Sequence, residues 1–421
     1  MRFLLVVLCL LAIDFYSFKG VRLLTSGWTT GNARLIVHTA YWAVSIALIA
    51  GMVIVGTVYA RKSGVPDYRY FFFMFGAALI VMVPKLVFTV FHLLEDLSYV
   101  VVRLFKSSGG NSGEGGGAAI SRFRFITQVG LVAAAIPFGA LTYGILRGRW
   151  RFQVFRETLA FDNLPPAFDG LKVVQISDLH LGSFFNRNHE EVARGIQMIN
   201  DLEPDLILFT GDLVNNYAEE AEAWVDHFAG LKARIGKFSI LGNHDYGDYV
   251  RWPGEEAKQA NVEAVIAANR RMGFRVLLNE NETIEVNGEK IGLVGVENWG
   301  ARGFTKYGDL DKAVAGSEQL PFRILLSHDP SHWDAQVLRH TNIDLTLSGH
   351  THGMQFGVEV GNWKISPVQM VYPRWAGLYT EGQQHLYVNR GFGYIGYPGR
   401  VGISPEITLL ELRSRSAKCF P

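Results

Sequence analysis

The amino-acid sequence predicts a two-part α/β protein, in which a bundle of about four transmembrane helices precedes a four-layer α/β/β/α sandwich. Hydrophobic residues make up 49% of the 421 residues and charged residues only 19%, as expected when a membrane part is joined to a water-soluble part. Long apolar segments are confined to residues 1–156. In residues 157–421, strands alternate with helices at first and later crowd together, which indicates two packed sheets flanked by helices. We therefore expect a membrane domain at 1–156 and a soluble domain at 157–421.

Charge is divided unevenly between these two parts. Residues 1–156 hold 16 Lys and Arg against 5 Asp and Glu, whereas residues 157–421 hold 24 against 34. An acidic soluble domain lacks the basic surface that non-specific nucleic-acid binding requires, so we expect no nucleic-acid partner. Cys9 and Cys419 are the only cysteines, which excludes a disulfide framework without fixing the compartment.

Four apolar segments predict the membrane helices: Phe3–Phe18, Leu35–Ala60, Tyr70–Leu94 and Phe125–Leu146. The first is open to two interpretations, and we favour a retained helix over a signal peptide because no small-residue cleavage site follows. The third contains Pro84 and Lys85, and a lysine within a span usually faces the bundle interior or a water-filled cavity. Lys and Arg are balanced between the two sides of the bundle, so the side of the soluble domain stays open.

Two further segments in the first part have a distinctive composition. Residues 107–117 read SSGGNSGEGGG and predict a flexible linker. Residues 147–156 read RGRWRFQVFR. Arginines interleaved with Trp150, Phe152 and Phe155 predict an interfacial anchor at head-group depth.

The soluble part opens with a mostly β-branched strand at Lys172–Ile176. A helix is predicted at Asn188–Leu202, where apolar residues recur at helical spacing before Pro204. The elements that follow are helices at Ala218–Leu231 and Glu255–Met272, and strands at Asp205–Thr210, Lys237–Leu241, Arg275–Leu278, Thr283–Val286, Lys290–Val296, Phe322–Leu326, Asp344–Leu347, His385–Val388 and Ile407–Leu412.

Residues that can bind metal follow several of these strands. Asp178 and His180 end the first strand, and residues two apart in extended backbone point the same way. An oxygen ligand beside a nitrogen ligand suits Mn, Fe or Zn. The other candidates are Asp212, Asn243, His328, His350 and His352. Each alone has an ordinary alternative as a turn residue or a core histidine, but together they match a two-metal site because strand-end loops converge on one crevice.

The motifs D-x-H, G-D, G-N-H-D, H and G-H-T-H, in this order, resemble those of the calcineurin-like metallophosphoesterases. The resemblance covers about Phe168 to Leu412, and Ser327–Pro330, Asn389–Gly391 and Pro405–Ile407 are similar to the bacterial membrane-anchored subgroup. It implies two divalent metal ions, of the kinds Mn, Fe, Zn or Mg. One would be held by Asp178, His180, Asp212 and His352, and the other by Asp212, Asn243, His328 and His350.

The resemblance also implies a catalytic role for His244, which would contact the phosphate and protonate the leaving oxygen. We expect Asn215 and Asp245 to support the site from outside the ligand set. Many relatives carry Asp where this chain has Asn215, so the side chain there supplies no charge to His244. Met354 stands where the subgroup often has glycine, and it would narrow the pocket or give it an apolar wall.

The sequence thus predicts a multi-pass, membrane-anchored metallophosphoesterase that hydrolyses a phosphodiester or pyrophosphate. The membrane part favours a lipid-linked substrate, such as a UDP-diacylglucosamine-type intermediate. The alternatives are an enzyme for soluble nucleotides or phosphomonoesters, a metal-binding pseudo-enzyme module, and a transporter with a regulatory domain. The intact ligand set argues against the pseudo-enzyme, and the few charges within the spans, Asp14 and Lys85, argue against the transporter.

Overall fold

The structure, a computed structural model, describes residues 2–61, 68–106, 116–185, 188–301, 303–361 and 363–415. Apart from residues 67–69, the described chain divides into a first compact unit that ends at Leu146 and a second that begins at Arg147. Most of the predicted linker, residues 107–115, lies outside the described residues.

Four long helices form the first unit: α1 (Arg2–Leu24), α2 (Gly31–Arg61), α3 (Tyr68–Lys106) and α4 (Gly116–Leu146). Each contains one of the four predicted apolar segments. Within the described residues, three stretches are long and apolar enough to cross a membrane, at Gly31–Thr57, Tyr68–Ser98 and Phe125–Trp150.

Lys85 of α3 faces the interior of this unit, as predicted for a lysine within a span. Its Nζ atom lies 2.6 Å from Asp14 Oδ1 and 2.6 Å from Ser45 Oγ, and 4.2 Å from the centre of the Tyr41 ring. The Asp14 side chain is fully buried. A buried charge needs a charged or hydrogen-bonding partner, and this cluster supplies one across α1, α2 and α3.

The second unit contains fourteen strands within the described residues. Their bounds are β1 (Gln153–Phe161), β2 (Leu171–Ile176), β3 (Leu206–Phe209), β4 (Gly236–Ser239), β5 (Arg275–Val276), β6 (Glu280–Val286), β7 (Glu289–Gly295), β8 (Arg323–Leu326), β9 (Leu345–Ser348), β10 (Val358–Val360), β11 (Trp363–Ile365), β12 (Gly377–Glu381), β13 (Gln384–Val388) and β14 (Glu406–Ser414). Sheet one has the order β1-β14-β2-β3-β4-β5, and sheet two the order β12-β13-β9-β8-β7-β6. Strands β10 and β11 form a separate antiparallel hairpin.

The central strands of both sheets run parallel. Strand β3 pairs in parallel with β2 and β4, and β8 pairs in parallel with β7 and β9. The residues that follow parallel neighbours leave the sheet at the same edge, so the loops after β2, β3 and β4 start side by side.

Alternating side chains place the main core between the two sheets. In β2, Val173 faces sheet two whereas Val174 faces helices, and in β8 Ile324 faces sheet one whereas Leu325 faces outward. The outer layers are α5 (His189–Asn200), α6 (Val225–Ala229) and α7 (Glu255–Arg271) against sheet one, and α8 (Leu310–Val314) with a π-helix at Trp333–Val337 against sheet two. The predicted four-layer α/β/β/α sandwich is confirmed.

The interpretation of residues 147–156 as an interfacial anchor is wrong for its first two aromatic residues. Trp150 and Phe152 are each only 8% exposed, and they pack in the core between sheet one and its helices. Arg149 is buried as well and donates to the Tyr394 hydroxyl at 3.2 Å and to the Pro398 carbonyl at 3.0 Å. Arginines packed among aromatic rings in a protein core have the same composition as a membrane anchor, so the sequence pattern does not separate the two.

Candidate metal centre

The residues predicted as metal ligands all come together where parallel strands end. Asp178 and His180 follow β2, Asp212 follows β3, Asn243 follows β4, His328 follows β8, and His350 and His352 follow β9. All except His350 are buried. The two sheets therefore bring loops from both halves of the sandwich to one site.

Five of these seven residues adopt left-handed backbone, with φ of +53° at Asp178, +47° at His180, +62° at Asp212, +73° at His350 and +51° at His352. This region costs a non-glycine residue roughly 1–2 kcal/mol, so the surrounding structure must hold the loops in place. Main-chain hydrogen bonds do so, since Asp178 N–H donates to the Gly211 carbonyl at 2.9 Å and His180 N–H to the Asp212 carbonyl at 3.1 Å.

Two glycines let the ligand carboxylates approach the neighbouring backbone. A Cβ atom on Gly242 would collide with the carboxylate of Asp212, and one on Gly349 would collide with that of Asp178. Next to these glycines, His244 N–H donates to Asp212 Oδ1 at 2.9 Å and His350 N–H to Asp178 Oδ1 at 3.1 Å. The glycines thus permit hydrogen bonds that fix both carboxylates.

The side-chain donor atoms form two groups. In the first, the Nε2 atoms of His180 and His352 lie 3.0 Å apart. His352 Nε2 lies 3.2 Å from Asp178 Oδ1, and His180 Nε2 lies 3.5 Å from Asp212 Oδ2. Two imidazoles and two carboxylates therefore point at one small volume.

The second group contains the same oxygen of Asp212. His328 Nε2 lies 3.2 Å from Asp212 Oδ2 and 3.1 Å from Asn243 Oδ1. His350 Nδ1 lies 2.8 Å from Asn243 Oδ1 and 3.3 Å from His328 Nε2. Asp212 Oδ2 is therefore common to both groups.

The chemistry of these donors fits divalent cations. The ligand atoms of Asp178, His180 and His352 lie within 4.8 Å of one another, as do those of Asp178, Asp212 and His328. Buried carboxylates need compensating positive charge, and a mixed set of oxygen and imidazole donors suits transition-metal ions.

The electrostatics of the metal-free protein also favour binding of a cation at this site. Burial opposes ionisation of Asp212, but His328 and His244 hold the pKa of this carboxyl well below its usual range. Burial also opposes protonation of His328, but the Asp212 carboxylate raises the pKa of this histidine to about 10. A proton on His328 thus balances the charge of Asp212, and a bound cation would replace that proton.

His244 lies beside the two groups. Its Nδ1 atom is 2.7 Å from the main-chain carbonyl oxygen of Asn215, and its ring meets the His180 ring edge-on with centroids 4.9 Å apart. Burial lowers the pKa of His244, and the negative charge of Asp212 opposes this. A cleft of about 220 Å³ is lined by His244 together with His180, Asp212, Asn243, Phe304, His350, Thr351, His352, Val368, Tyr372 and Ile395.

Comparison with known proteins identifies the family. A family model described as "Probable Calcineurin-like phosphoesterase, transmembrane domain" matches residues 1–149, and one described as "Calcineurin-like phosphoesterase" matches residues 171–354. The Bacillus subtilis (strain 168) protein "Uncharacterized metallophosphoesterase YkuE" is 35% identical over 292 residues, which cover 66% of this chain and 94% of that protein. The chain belongs to the calcineurin-like metallophosphoesterases.

Two other relatives are similar over a comparable share of the chain. "Phosphodiesterase YaeI" of Escherichia coli (strain K12) is 32% identical over 300 residues, covering 70% of this chain and 99% of that protein. "Transmembrane protein with metallophosphoesterase domain" of Danio rerio is 28% identical over 295 residues, covering 68% of this chain but 62% of that protein. With its membrane helices, this metallophosphoesterase is a multi-pass membrane protein.

Asn215 contacts the catalytic candidate of this metallophosphoesterase through its main chain, whereas the sequence pointed to its side chain. The Asn215 amide group instead lies 3.2–3.3 Å from the Ser183 hydroxyl. The Glu220 carboxylate accepts a hydrogen bond from Asn215 N–H at 2.5 Å and so anchors the main chain of the residue whose carbonyl contacts His244. The carbonyl orients the imidazole and contributes no full charge.

Asp245 ties together the loops after β3 and β4. Its carboxylate accepts main-chain hydrogen bonds from Asp212 at 2.9 Å, Leu213 at 2.8 Å, Val214 at 3.2 Å and Gly242 at 2.9 Å. Burial and then the charge of Asp212 raise the pKa of Asp245 to about 7, while hydrogen bonds from Gly242 and Val214 oppose the rise.

Two tyrosines contact candidate ligands, a role that the sequence did not predict for either of them. The Tyr249 hydroxyl accepts a hydrogen bond from Asn243 Nδ2 at 2.7 Å, and the Tyr372 hydroxyl lies 2.8 Å from His350 Nε2. Both contacts orient a candidate ligand from behind. Neither tyrosine belongs to a strand-end motif, so no local pattern pointed to these roles.

Proposed function

We propose that this metallophosphoesterase hydrolyses a phosphodiester or pyrophosphate bond at a centre for two divalent metal ions, of the kinds Mn, Fe, Zn or Mg. One ion would be held by Asp178, His180, Asp212 and His352, and the other by Asp212, Asn243, His328 and His350. The observation that carries the proposal is the position of Asp212 Oδ2, 3.5 Å from His180 Nε2 and 3.2 Å from His328 Nε2. The chemistry supplied by a bound metal pair is neutralisation of phosphate oxygens and activation of water as the nucleophile.

His244 is proposed as the group that protonates the leaving oxygen. It lines the cleft, and the Asn215 carbonyl holds the hydrogen on its Nδ1 atom. In the imidazolium form, Nε2–H is then free to donate to a leaving alkoxide, and its lowered pKa makes it a stronger acid.

The substrate that we propose is lipid-linked, such as a UDP-diacylglucosamine-type intermediate. The multi-pass membrane unit supports this, because it keeps the enzyme at a lipid surface. The relative YaeI is named a phosphodiesterase, which favours cleavage of a diester. Soluble nucleotides and phosphomonoesters are the alternative substrates. A pseudo-enzyme module would lack one or more of the ligands, and all seven are present here.

The test uses the purified full-length protein with each divalent metal in turn. Hydrolysis is measured on bis(4-nitrophenyl) phosphate, 4-nitrophenyl phosphate and an acylated pyrophosphate in mixed micelles, with and without chelator. Asp212→Asn should lose metal and activity together, since it weakens both ligand groups. The control is Asp201→Asn, an exposed carboxylate after α5, which should match the wild type. Full metal occupancy with normal turnover in Asp212→Asn would overturn the two-metal assignment.

A further inference from the structure

Exposed apolar side chains of the second unit are concentrated in one segment. Within the described residues, its large exposed apolar side chains are Tyr249 and seven residues between 354 and 371: Met354, Val358, Val360, Trp363, Ile365, Met370 and Val371. Trp363 is 77% exposed and Met370 is 87% exposed. These seven residues are called the apolar face below. Such a concentration is rare on the surface of a soluble domain and marks a binding surface.

The hairpin contributes four residues of the apolar face, and all four project from the same side of it. Val358 lies opposite Ile365, and Val360 lies opposite Trp363. Alternate residues of a strand share a face, so these four side chains project on the same side. All four are more than half exposed.

The polar side of the hairpin is attached to the rest of the unit. Glu359 lies opposite Lys364 on this side. The Glu359 carboxylate accepts a hydrogen bond from Arg390 Nε at 2.8 Å, and Lys364 Nζ donates to the Ala376 carbonyl. A hairpin on a protein surface usually buries its apolar side, and here both charged residues face inward and are paired. The outward face is therefore apolar and carries no charge.

The chain segment that carries the apolar face also lines the cleft at the metal centre. The turn at Pro367–Met370 leads from the hairpin to Tyr372, whose hydroxyl lies 2.8 Å from His350 Nε2. Val368 and Tyr372 both line the cleft. Ser366 Oγ donates to the Gly353 carbonyl at 2.8 Å, which joins this turn to the residue after His352. Met370 and Val371 of the apolar face therefore lie along the chain between two residues that line the cleft, Val368 and Tyr372.

We propose that the apolar face binds the acyl chains of an amphiphilic phosphoester whose phosphate lies in the cleft. The proposal rests on the phosphoesterase function proposed above and assigns residues to the lipid part of that substrate. An uncharged apolar surface that adjoins a phosphate site is complementary to a molecule with a phosphate head and hydrocarbon chains. A polar head group beyond the phosphate would instead require hydrogen-bonding partners on this face.

The test compares two substrates on the purified full-length protein: bis(4-nitrophenyl) phosphate, and an acylated phosphodiester in mixed micelles. The double variant Trp363→Gln/Met370→Gln keeps the charge of the protein, so repulsion of the substrate phosphate does not change. On the acylated substrate, we expect kcat/KM to fall by roughly 10- to 100-fold, the factor for losing contact with large apolar side chains. On the soluble diester, kcat/KM should stay unchanged, which also shows that the cleft is intact.

Two controls separate apolar contact from general effects of substitution. Trp363→Phe keeps an aromatic ring and should retain most of the activity on the acylated substrate. Ala260→Gln places the same new side chain on the exposed surface of α7, away from the hairpin, and should match the wild type on both substrates. Equal efficiency of the double variant and the wild type on the acylated substrate would overturn the proposal.

A second readout does not depend on hydrolysis. A phosphodiester with brominated acyl chains should quench tryptophan fluorescence more strongly in the wild type than in Trp363→Phe. Quenching of Trp363 without turnover of any phosphodiester would leave acyl binding in place and reject the proposed hydrolysis. If Trp363 is not quenched, the proposal fails. If the protein is then found to be a dimer whose interface covers the apolar face, a second copy of the chain is the occupant. If the double variant loses both activities, the quenching result in the wild type decides.

Discussion

One oxygen of Asp212 faces His180 and His328, and the other accepts the main-chain N–H of His244. A single carboxylate therefore connects the two groups of candidate ligands to the proposed proton donor. The roles of these residues differ nonetheless, because His244 makes its contact through the main chain while its ring is held by Asn215. Substitutions of single residues should therefore separate metal binding from proton transfer.

His244→Asn should keep the metal and lower kcat by roughly 10²–10⁴-fold, the range for loss of a general acid. The loss should be smaller on bis(4-nitrophenyl) phosphate, because nitrophenolate leaves without a proton. Metal analysis and kcat on a series of diesters with leaving groups of different pKa would measure both effects. If the loss is the same for good and poor leaving groups, His244 is not the proton donor.

Metal binding should release a proton from His328. Because Asp212 raises the pKa of His328 to about 10, this histidine is protonated at pH 7 in the metal-free protein, and a cation must displace the proton. Metal affinity should therefore rise with pH between about 6 and 9. Calorimetric titration with Mn²⁺ in buffers of different ionisation enthalpy should show release of about one proton. An observed enthalpy that is the same in all buffers would contradict this.

Asn215→Ala should retain kcat within about fivefold, since the side chain contributes one hydrogen bond to Ser183 worth about 1 kcal/mol. The carbonyl of residue 215, and not its side chain, contacts the imidazole of His244. Comparing the kcat of Asn215→Ala with that of His244→Asn tests whether the side chain of residue 215 is needed. A loss as large as that of His244→Asn would mean that the side chain is needed to hold the imidazole.

The convergence of the seven candidate ligands could be predicted from the sequence because each is a polar residue that follows an apolar strand, a signal carried by residue type. The contact between His244 and Asn215 could not, because a main-chain carbonyl is the same in every residue. Tyr249 and Tyr372 reach the site from loops whose paths depend on tertiary packing. Contacts of this kind have no local sequence signal.

At the scale of elements, strands β2 and β3 were predicted because their apolar runs are buried on both sides. Strand β1 was missed, since its start lies in the arginine- and aromatic-rich segment that resembles a membrane anchor. The hairpin shows a second limit. Neither of its strands was predicted, and the side that faces water is set by the Arg390–Glu359 pair, whose residues are 31 apart in sequence.

Trp150→Ala tests the packing of the segment before β1. Trp150 is buried among Phe152, Phe184 and Tyr394. Its loss should therefore lower the free energy of unfolding of the second unit by about 3–5 kcal/mol. The temperature of half-inactivation for diester hydrolysis should fall accordingly. The control is Arg151→Ala, an exposed neighbour, which should leave this temperature unchanged. Equal temperatures for Trp150→Ala and the wild type would restore the anchor interpretation.

At the scale of the whole molecule, the candidate metal ligands belong to the second unit alone and the Lys85–Asp14 pair to the first alone. Lys85→Met would leave Asp14 buried without its cation, which typically costs about 3–5 kcal/mol. The solubilised protein should then lose its helical structure at a lower temperature, and the double variant Asp14→Asn/Lys85→Met should recover part of the loss. Circular dichroism measures both.

The control for this prediction is Lys19→Met, which removes an exposed lysine paired with Asp96 and should have little effect. Below the unfolding temperature, all of these variants should hydrolyse bis(4-nitrophenyl) phosphate at the wild-type rate. Identical stability of Lys85→Met and the wild type would contradict a stabilising role for the Lys85–Asp14 pair.

The position of β14 in sheet one has a consequence for biosynthesis. Strand β14 lies between β1 and β2, although more than two hundred residues separate it from them along the chain. Just upstream of it, Phe392 N–H donates to the Ser177 carbonyl and Gly393 N–H to the Asp178 carbonyl, which supports the loop of the first candidate ligand. During translation, the membrane helices emerge first, whereas sheet one stays open until residue 414 has left the ribosome. The loop that carries Asp178 therefore gains this support only late in synthesis, and a nascent chain stalled before β14 carries a membrane unit with an incomplete sheet one.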